Sequence, residues 1–139
     1  MRTKPERRVF RTREGLALVA DAYGDPGARP VVLAHGGGQT RHAWGGAAAA
    51  LARRGWYALA LDLRGHGESE WSPTGAYEFE VFAEDLTDVA ALLAQSPVLV
   101  GASLGGLAAI LAQGGAERGP FSAVVPVDEV VDKKRVIDL

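Results

Sequence analysis

The 139-residue sequence contains no cysteine, one methionine and three histidines. The missing cysteine excludes a disulfide framework, a thiolate metal site and a cysteine nucleophile. The histidines, His35, His42 and His66, lie seven and twenty-four residues apart. With Asp62 they match no common ligand spacing, so no metal site is expected. No Gly-x-x-x-x-Gly-Lys-Ser/Thr and no Gly-x-Gly-x-x-Gly occurs, so no phosphate loop, dinucleotide fold or other cofactor is expected. No apolar h-region follows the basic start, and no apolar run approaches a membrane span. The expectation is a cytoplasmic protein without a membrane partner. Strong charge of one sign is also lacking, since the formal net charge is −2. The first thirteen residues hold six of the fifteen Lys and Arg against a single acid, Glu6. No aromatics interleave them to stack bases. Residues 1–8 therefore read as a solvated basic arm, and no nucleic-acid partner is expected.

What is present suffices for one domain. The chain is 47% hydrophobic and 23% charged, enough apolar side chain for a real core. Val9–Arg13 and Leu16–Tyr23 read as a hairpin turning at Glu14-Gly15. Short apolar runs without alternation follow at 31–34, 57–61, 98–100 and 123–127, as suits strands covered on both faces. Helical periodicity lies between them. Trp44, Ala47, Ala48 and Leu51 share a face within 44–54, and Phe82, Leu86, Val89, Ala90 and Leu93 share one within 78–93. A third helix spans 104–113. The order predicts an α/β fold, a mostly parallel sheet with helices on both faces and an N-terminal antiparallel hairpin.

Three polar segments stand at the C-terminal ends of predicted strands, where a parallel sheet binds ligands. They are His35-Gly36-Gly37-Gly38, Asp62-Leu63-Arg64-Gly65-His66-Gly67-Glu68-Ser69 and Gly101-Ala102-Ser103-Leu104-Gly105-Gly106. The last is a Gly-x-Ser-x-Gly between an apolar strand and an apolar helix, the setting of a nucleophile elbow. A serine hydroxyl becomes a useful nucleophile when it is exposed, held near a base and faced by oxyanion donors.

Together these motifs resemble the α/β-hydrolase superfamily, in particular its bacterial lipase, esterase and haloperoxidase-like members. The resemblance runs from about Val9 to Asp128. It implies Ser103 as the nucleophile and the backbone N–H groups of Gly37 and Leu104 as the oxyanion hole. Members that open epoxides or displace halide resemble this chain but carry Asp at the elbow. Ser103 implies acyl transfer on a small ester-like substrate. His35, Gly36, Asp62 and His66 are expected to support the site's turns. His42 is expected beside the pocket, and Trp44, Trp71 and Tyr77 either line its mouth or pack as ordinary aromatics.

The chain departs from the family pattern after the elbow. The triad order is Ser, then Asp or Glu, then His, yet all three histidines precede Ser103. Asp128 is the best-placed acid. A domain of this kind often takes about 200–250 residues. The expectation is a single, incomplete domain over 1–139, the N-terminal half of a serine hydrolase. Residues 129–139 form an atypical tail: Lys133 and Lys134 are two of only three lysines, against twelve arginines. A truncated or frame-shifted reading, an engineered terminus and an ordinary variable terminus all fit that tail. The strand at 123–127 would then be a sheet edge, open to a homodimer or a complementing chain. A non-catalytic binding domain and a haloperoxidase-like perhydrolase are the alternative functions.

Overall fold

The structure, a computed structural model, describes residues 4–114 and 119–127. Six strands form one sheet: β1 (Glu6–Arg11), β2 (Ala17–Tyr23), β3 (Arg29–Ala34), β4 (Trp56–Leu61), β5 (Val98–Ala102) and β6 (Ala123–Val127). Three α-helices connect them, α1 (Gly45–Arg53), α2 (Phe79–Ala91) and α3 (Leu104–Gln113), with a 3-10 turn at Arg41–Trp44 before α1. The strand order is β1-β2-β4-β3-β5-β6. β1, β2 and β4 run antiparallel, whereas β4, β3, β5 and β6 are mutually parallel. This is the mixed sheet the sequence predicts.

Alternation along each buried strand divides the core between two faces, because successive side chains point opposite ways. Val32, Ala34, Leu59, Leu61 and Leu99 meet Phe82, Leu86 and Val89 of α2 and Ala108 and Ala109 of α3. Val31, Leu33, Ala58, Ala60, Val100 and Ala102 meet Trp44 and Ala47, Ala48 and Leu51 of α1. Trp44 is fully buried there. It anchors α1 beneath the sheet and does not line a pocket mouth.

The boundaries of β1 differ from the sequence expectation. The strand begins at Glu6, so residues 6–8 of the expected arm pair with Ala22, Asp21 and Ala20. An edge strand is held by its backbone ladder, so charged side chains do not exclude strand there. It ends at Arg11 because Thr12 closes the turn. The Thr12 carbonyl accepts from Gly15 N–H at 2.8 Å, and its hydroxyl accepts from Leu16 N–H at 3.2 Å.

The topology fixes where a site can form. The β3–α1–β4 unit moves one way along the sheet, and the β4–α2–β5 unit returns past β3 to the other side. A ligand crevice opens beyond the strand ends at such a reversal. There the segments after β3, β4 and β5 converge.

Candidate active site

Ser103 sits between β5 and α3 with φ 52° and ψ −112°. Among the described residues it is the only non-glycine residue with positive φ. Such a conformation costs about 1–3 kcal/mol and persists only where the surroundings hold it. Here they are glycines packed against backbone. A Cβ on Gly101 would lie 2.3 Å from the Gly105 carbonyl oxygen. One on Gly105 would lie 2.4 Å from Ala34 O and 2.8 Å from His35 O. Only glycine lets α3 start so close to β3 and β5. The result is a side chain pushed outward: Ser103 is exposed, while Gly101, Ala102, Gly105 and Gly106 are buried.

The same closeness brings the segment after β3 against the start of α3. A Cβ on Gly37 would stand 3.8 Å from Leu104 Cδ2. Among the described residues, no hydrogen-bond acceptor faces the N–H of Gly37 or Leu104, and Ser103 Oγ makes no hydrogen bond. The segment after β3 thus lies against Leu104, next in sequence to the exposed Ser103.

The two neighbouring histidines are both committed to backbone. Leu63 N–H donates to His35 Nε2 at 3.0 Å, which leaves the ring proton on Nδ1, 2.7 Å from the Gly36 carbonyl. Gly38 N–H donates to His66 Nε2 at 3.1 Å, and Nδ1 of that ring lies 2.9 Å from the Arg64 carbonyl. The rings stack at a tilt, centroids 4.9 Å apart. Together they tie the segment after β3 to the segment after β4. Burial pushes the His35 pKa down, against the opposing pull of its Gly36 hydrogen bond. It is a neutral fastener in this structure. His42 lies on the 3-10 turn with an exposed side chain, its Nδ1 4.0 Å from Asp21 Oδ2.

Asp62 is fully buried. Its carboxylate accepts from Arg41 N–H at 2.6 Å, from Arg41 Nη1 at 2.6 Å and from Glu68 N–H at 3.0 Å. Gly67 must be glycine here, since a Cβ would stand 2.3 Å from Asp62 Oδ2. Arg41 is the hub that the sequence reading did not find. It is almost wholly buried, and Nη2 reaches Glu68 at 2.5 Å while Nε lies 3.0 Å from Asp21. Burial works against its charge, but its hydrogen bonds to Glu68 and Asp62 and its ion pair with Asp21 outweigh it and hold the guanidinium above its ordinary pKa. Its acids come from β2 and the segment after β4, far apart in sequence, so no local pattern points to it. Arg64 makes a second buried pair. It donates to both oxygens of Asp85 on α2, at 2.6 and 2.7 Å, and to Ala76 O at 3.1 Å. The Asp62–Ser69 segment is therefore a braced turn.

Tyr77 leans over Gly65, whose Cβ would stand 2.7 Å from the ring, and its hydroxyl accepts from Ser72 N–H at 2.9 Å. Trp71 is 74% exposed. Asp128 and the tail 129–139 lie outside the described residues. Among the described residues, no cluster of three or more His, Cys, Asp or Glu could hold a metal, and no helix is long and apolar enough to cross a membrane.

A family model described as alpha/beta hydrolase fold matches residues 29–113. The chain is 42% identical over 103 residues to an esterase of Mycobacterium tuberculosis, covering 73% of this chain and 33% of that protein. It is 36% identical over 101 residues to the non-heme chloroperoxidase CPO-A1 of Kitasatospora aureofaciens, covering 70% of this chain and 35% of that one. An epoxide hydrolase from an endophytic Streptomyces superposes with a TM-score of 0.79 at 27% identity, over 90% of this chain and 37% of its own. The chain spans about a third of the length of the curated relatives it matches.

Proposed function

The chain belongs to the alpha/beta hydrolase fold family, and from that premise we propose that it carries the nucleophile half of a serine hydrolase acting on carboxylic esters. Ser103 is the nucleophile in this reading. Its Oγ attacks the acyl carbon, the carbonyl oxygen takes the charge, and the N–H groups of Gly37 and Leu104 receive it. Backbone donors suit this task, because they are positioned before the charge develops. A general base other than the backbone-bound His35 and His66 takes the serine proton and returns it to the leaving alcohol, and water then hydrolyses the acyl-serine. The observation that carries the reading is the strained, exposed Ser103 at the β5–α3 junction. A serine at that point, rather than a carboxylate, favours acyl transfer over the epoxide opening named for the solved neighbour.

A fluorophosphonate probe tests it. The chain contains four other serines, Ser69, Ser72, Ser96 and Ser122. Peptide mapping is expected to find the adduct on Ser103 in preference to these four, and to lose it in Ser103→Ala. Even labelling of all serines, or none at Ser103 in folded protein, contradicts the reading and leaves a non-catalytic binding domain. The likeness to the chloroperoxidase favours a second reading on the same serine, in which hydrogen peroxide replaces water and a peracid leaves. Peracid release from an ester in the presence of peroxide checks it, and hydrolysis without peracid eliminates it.

A further inference from the structure

Gly37 stands between two peptide planes, and each plane is aimed by a histidine. The first plane carries the Gly36 carbonyl and the Gly37 N–H, which point opposite ways in a trans peptide. The Gly36 oxygen lies 2.7 Å from His35 Nδ1 and accepts from Gln39 N–H at 3.1 Å. Fixing that oxygen on one side sets the direction of the Gly37 N–H on the other. The second plane carries the Gly37 carbonyl and the Gly38 N–H, and this N–H donates to His66 Nε2 at 3.1 Å. Packing does not hold the tip of the turn. Gly37 and Gly38 are both exposed, and a Cβ on Gly38 would meet nothing within 4 Å. Among the described residues, the bond to His66 is what orients the Gly37–Gly38 peptide.

That bond exists in one protonation state only. His66 Nε2 accepts when it carries no proton, so the ring proton sits on Nδ1, 2.9 Å from the Arg64 carbonyl. A second proton would set an N–H at Nε2 against the Gly38 N–H and turn attraction into repulsion. Among the described residues, no carboxylate stands within ion-pair reach of the ring. Asp62 and Glu68 are engaged by Arg41, and the Arg64 guanidinium turns to Asp85 of α2. The Tyr77 hydroxyl is occupied by Ser72 N–H. α2 presents Phe82 to His66, with ring centroids 6.5 Å apart, and the segment after β3 presents His35 at 4.9 Å.

We propose that His66 is a positioning residue for the Gly37 N–H, and that a second proton on its ring switches this positioning off. It acts through the backbone: the ring fixes the Gly38 N–H, the Gly37–Gly38 plane follows, and with it the free rotation at Gly37 is removed. Use of the Gly37 N–H on an oxyanion rests on the reading of Ser103 as nucleophile.

The test takes the full 139-residue chain from about pH 8 to about pH 5, the range in which histidine changes charge. Nuclear magnetic resonance follows the Gly37 and Gly38 amides and the His66 ring. Wild type is expected to lose the Gly38 hydrogen bond at the midpoint at which the ring takes its second proton. His66→Gln offers an amide oxygen that does not titrate, so its Gly38 signal is expected to stay constant. His66→Phe keeps a ring without an acceptor, and its Gly38 amide is expected to be unbonded throughout. A Gly38 amide that ignores the His66 titration, or that moves alike in wild type and His66→Gln, overturns the positioning. The rate of Ser103 fluorophosphonate labelling is read in the same samples at the alkaline end. His66→Phe is expected to label at least about tenfold more slowly than wild type, a part of the roughly hundredfold or more that a whole oxyanion donor supplies. His66→Gln is expected to label close to the wild-type rate. Equal labelling in all three proteins overturns the positioning and keeps the hydrolase reading. Amides that titrate as expected while Ser103 stays unlabelled in every protein uphold the positioning and remove the hydrolase reading.

Discussion

The two flanks of the sheet are built to opposite rules. On the β1–β2 side, β1 carries Glu6, Arg7, Arg8 and Arg11 within six residues. The segment after β4 is laced onto β2: Val19 N–H donates to Ser69 Oγ at 2.8 Å, Asp62 N–H to Val19 O at 2.8 Å, and Glu70 N–H to Ala17 O at 2.9 Å. Arg41 binds acids from both. On the β5–β6 side, among the described residues, the exposed large side chains of α3 are Leu107, Ile110 and Leu111, and Ser103 stands exposed at the start of that helix. The first flank is self-sufficient and faces water. The second carries Ser103 and an apolar face. The physical lesson is that polar satisfaction, not sheet regularity, marks which side of the fold is closed.

Perturbing the closed flank is expected to do the most damage. Asp62→Ala removes one acid from the buried Arg41 and leaves its charge partly uncompensated, which should cost about 3 kcal/mol and lower the melting temperature by roughly 10 °C. Thermal unfolding followed by circular dichroism reads this directly, and a shift of a degree or two would show that Asp21 and Glu68 suffice. At the junction of the two flanks, Gly105→Ala forces a methyl into the backbone of Ala34 and His35. An overpacking cost of about 1–3 kcal/mol is expected, together with loss of Ser103-selective labelling as the elbow shifts.

A pH series sharpens the comparison further. Burial holds the His35 pKa below its ordinary value of 6.5, so the unfolded chain binds the proton more readily. Its contribution is complete above about pH 6.5 and is lost as pH falls through that value toward the folded-state pKa. Urea titrations between pH 7.5 and 5 should show stability falling on acidification, with a shallower slope in His35→Gln. An equal slope in the variant would place the acid sensitivity elsewhere. The smallest effect belongs to the open flank. In the chain alone, Ile110→Glu touches only an exposed side chain and should change stability by about 0.5 kcal/mol or less. A loss as large as that of Asp62→Ala would mean that the α3 face is already covered in this chain.

Much of this architecture is legible in the residues, and what is not has a common cause. β6 at 123–127 and α3 at 104–113 stand where periodicity puts them, because each is bounded by its own turn or glycine. The strand runs of β3, β4 and β5 are visible because both their faces are buried, which leaves an uninterrupted apolar signal. The three motif segments are visible because glycine and histidine are uncommon neighbours of such runs. β1 is misjudged at its start because an edge strand needs no apolar pattern. Trp44 offers two readings because helical spacing gives its face and not what that face meets. Arg41 is invisible, since a lone arginine in a polar segment reads as solvated until Asp21, Asp62 and Glu68 close around it. Local chemistry is written locally, whereas the bracing of the site depends on pairs twenty or more residues apart.

The most direct test of the central claim, that Ser103 and the N–H groups of Gly37 and Leu104 form one reactive centre, is a crystal structure of the phosphonylated protein. The account predicts density continuous with Ser103 Oγ and the phosphoryl oxygen about 2.7–3.1 Å from both backbone nitrogens. An adduct whose phosphoryl oxygen points to solvent, away from Gly37 and Leu104, would contradict it.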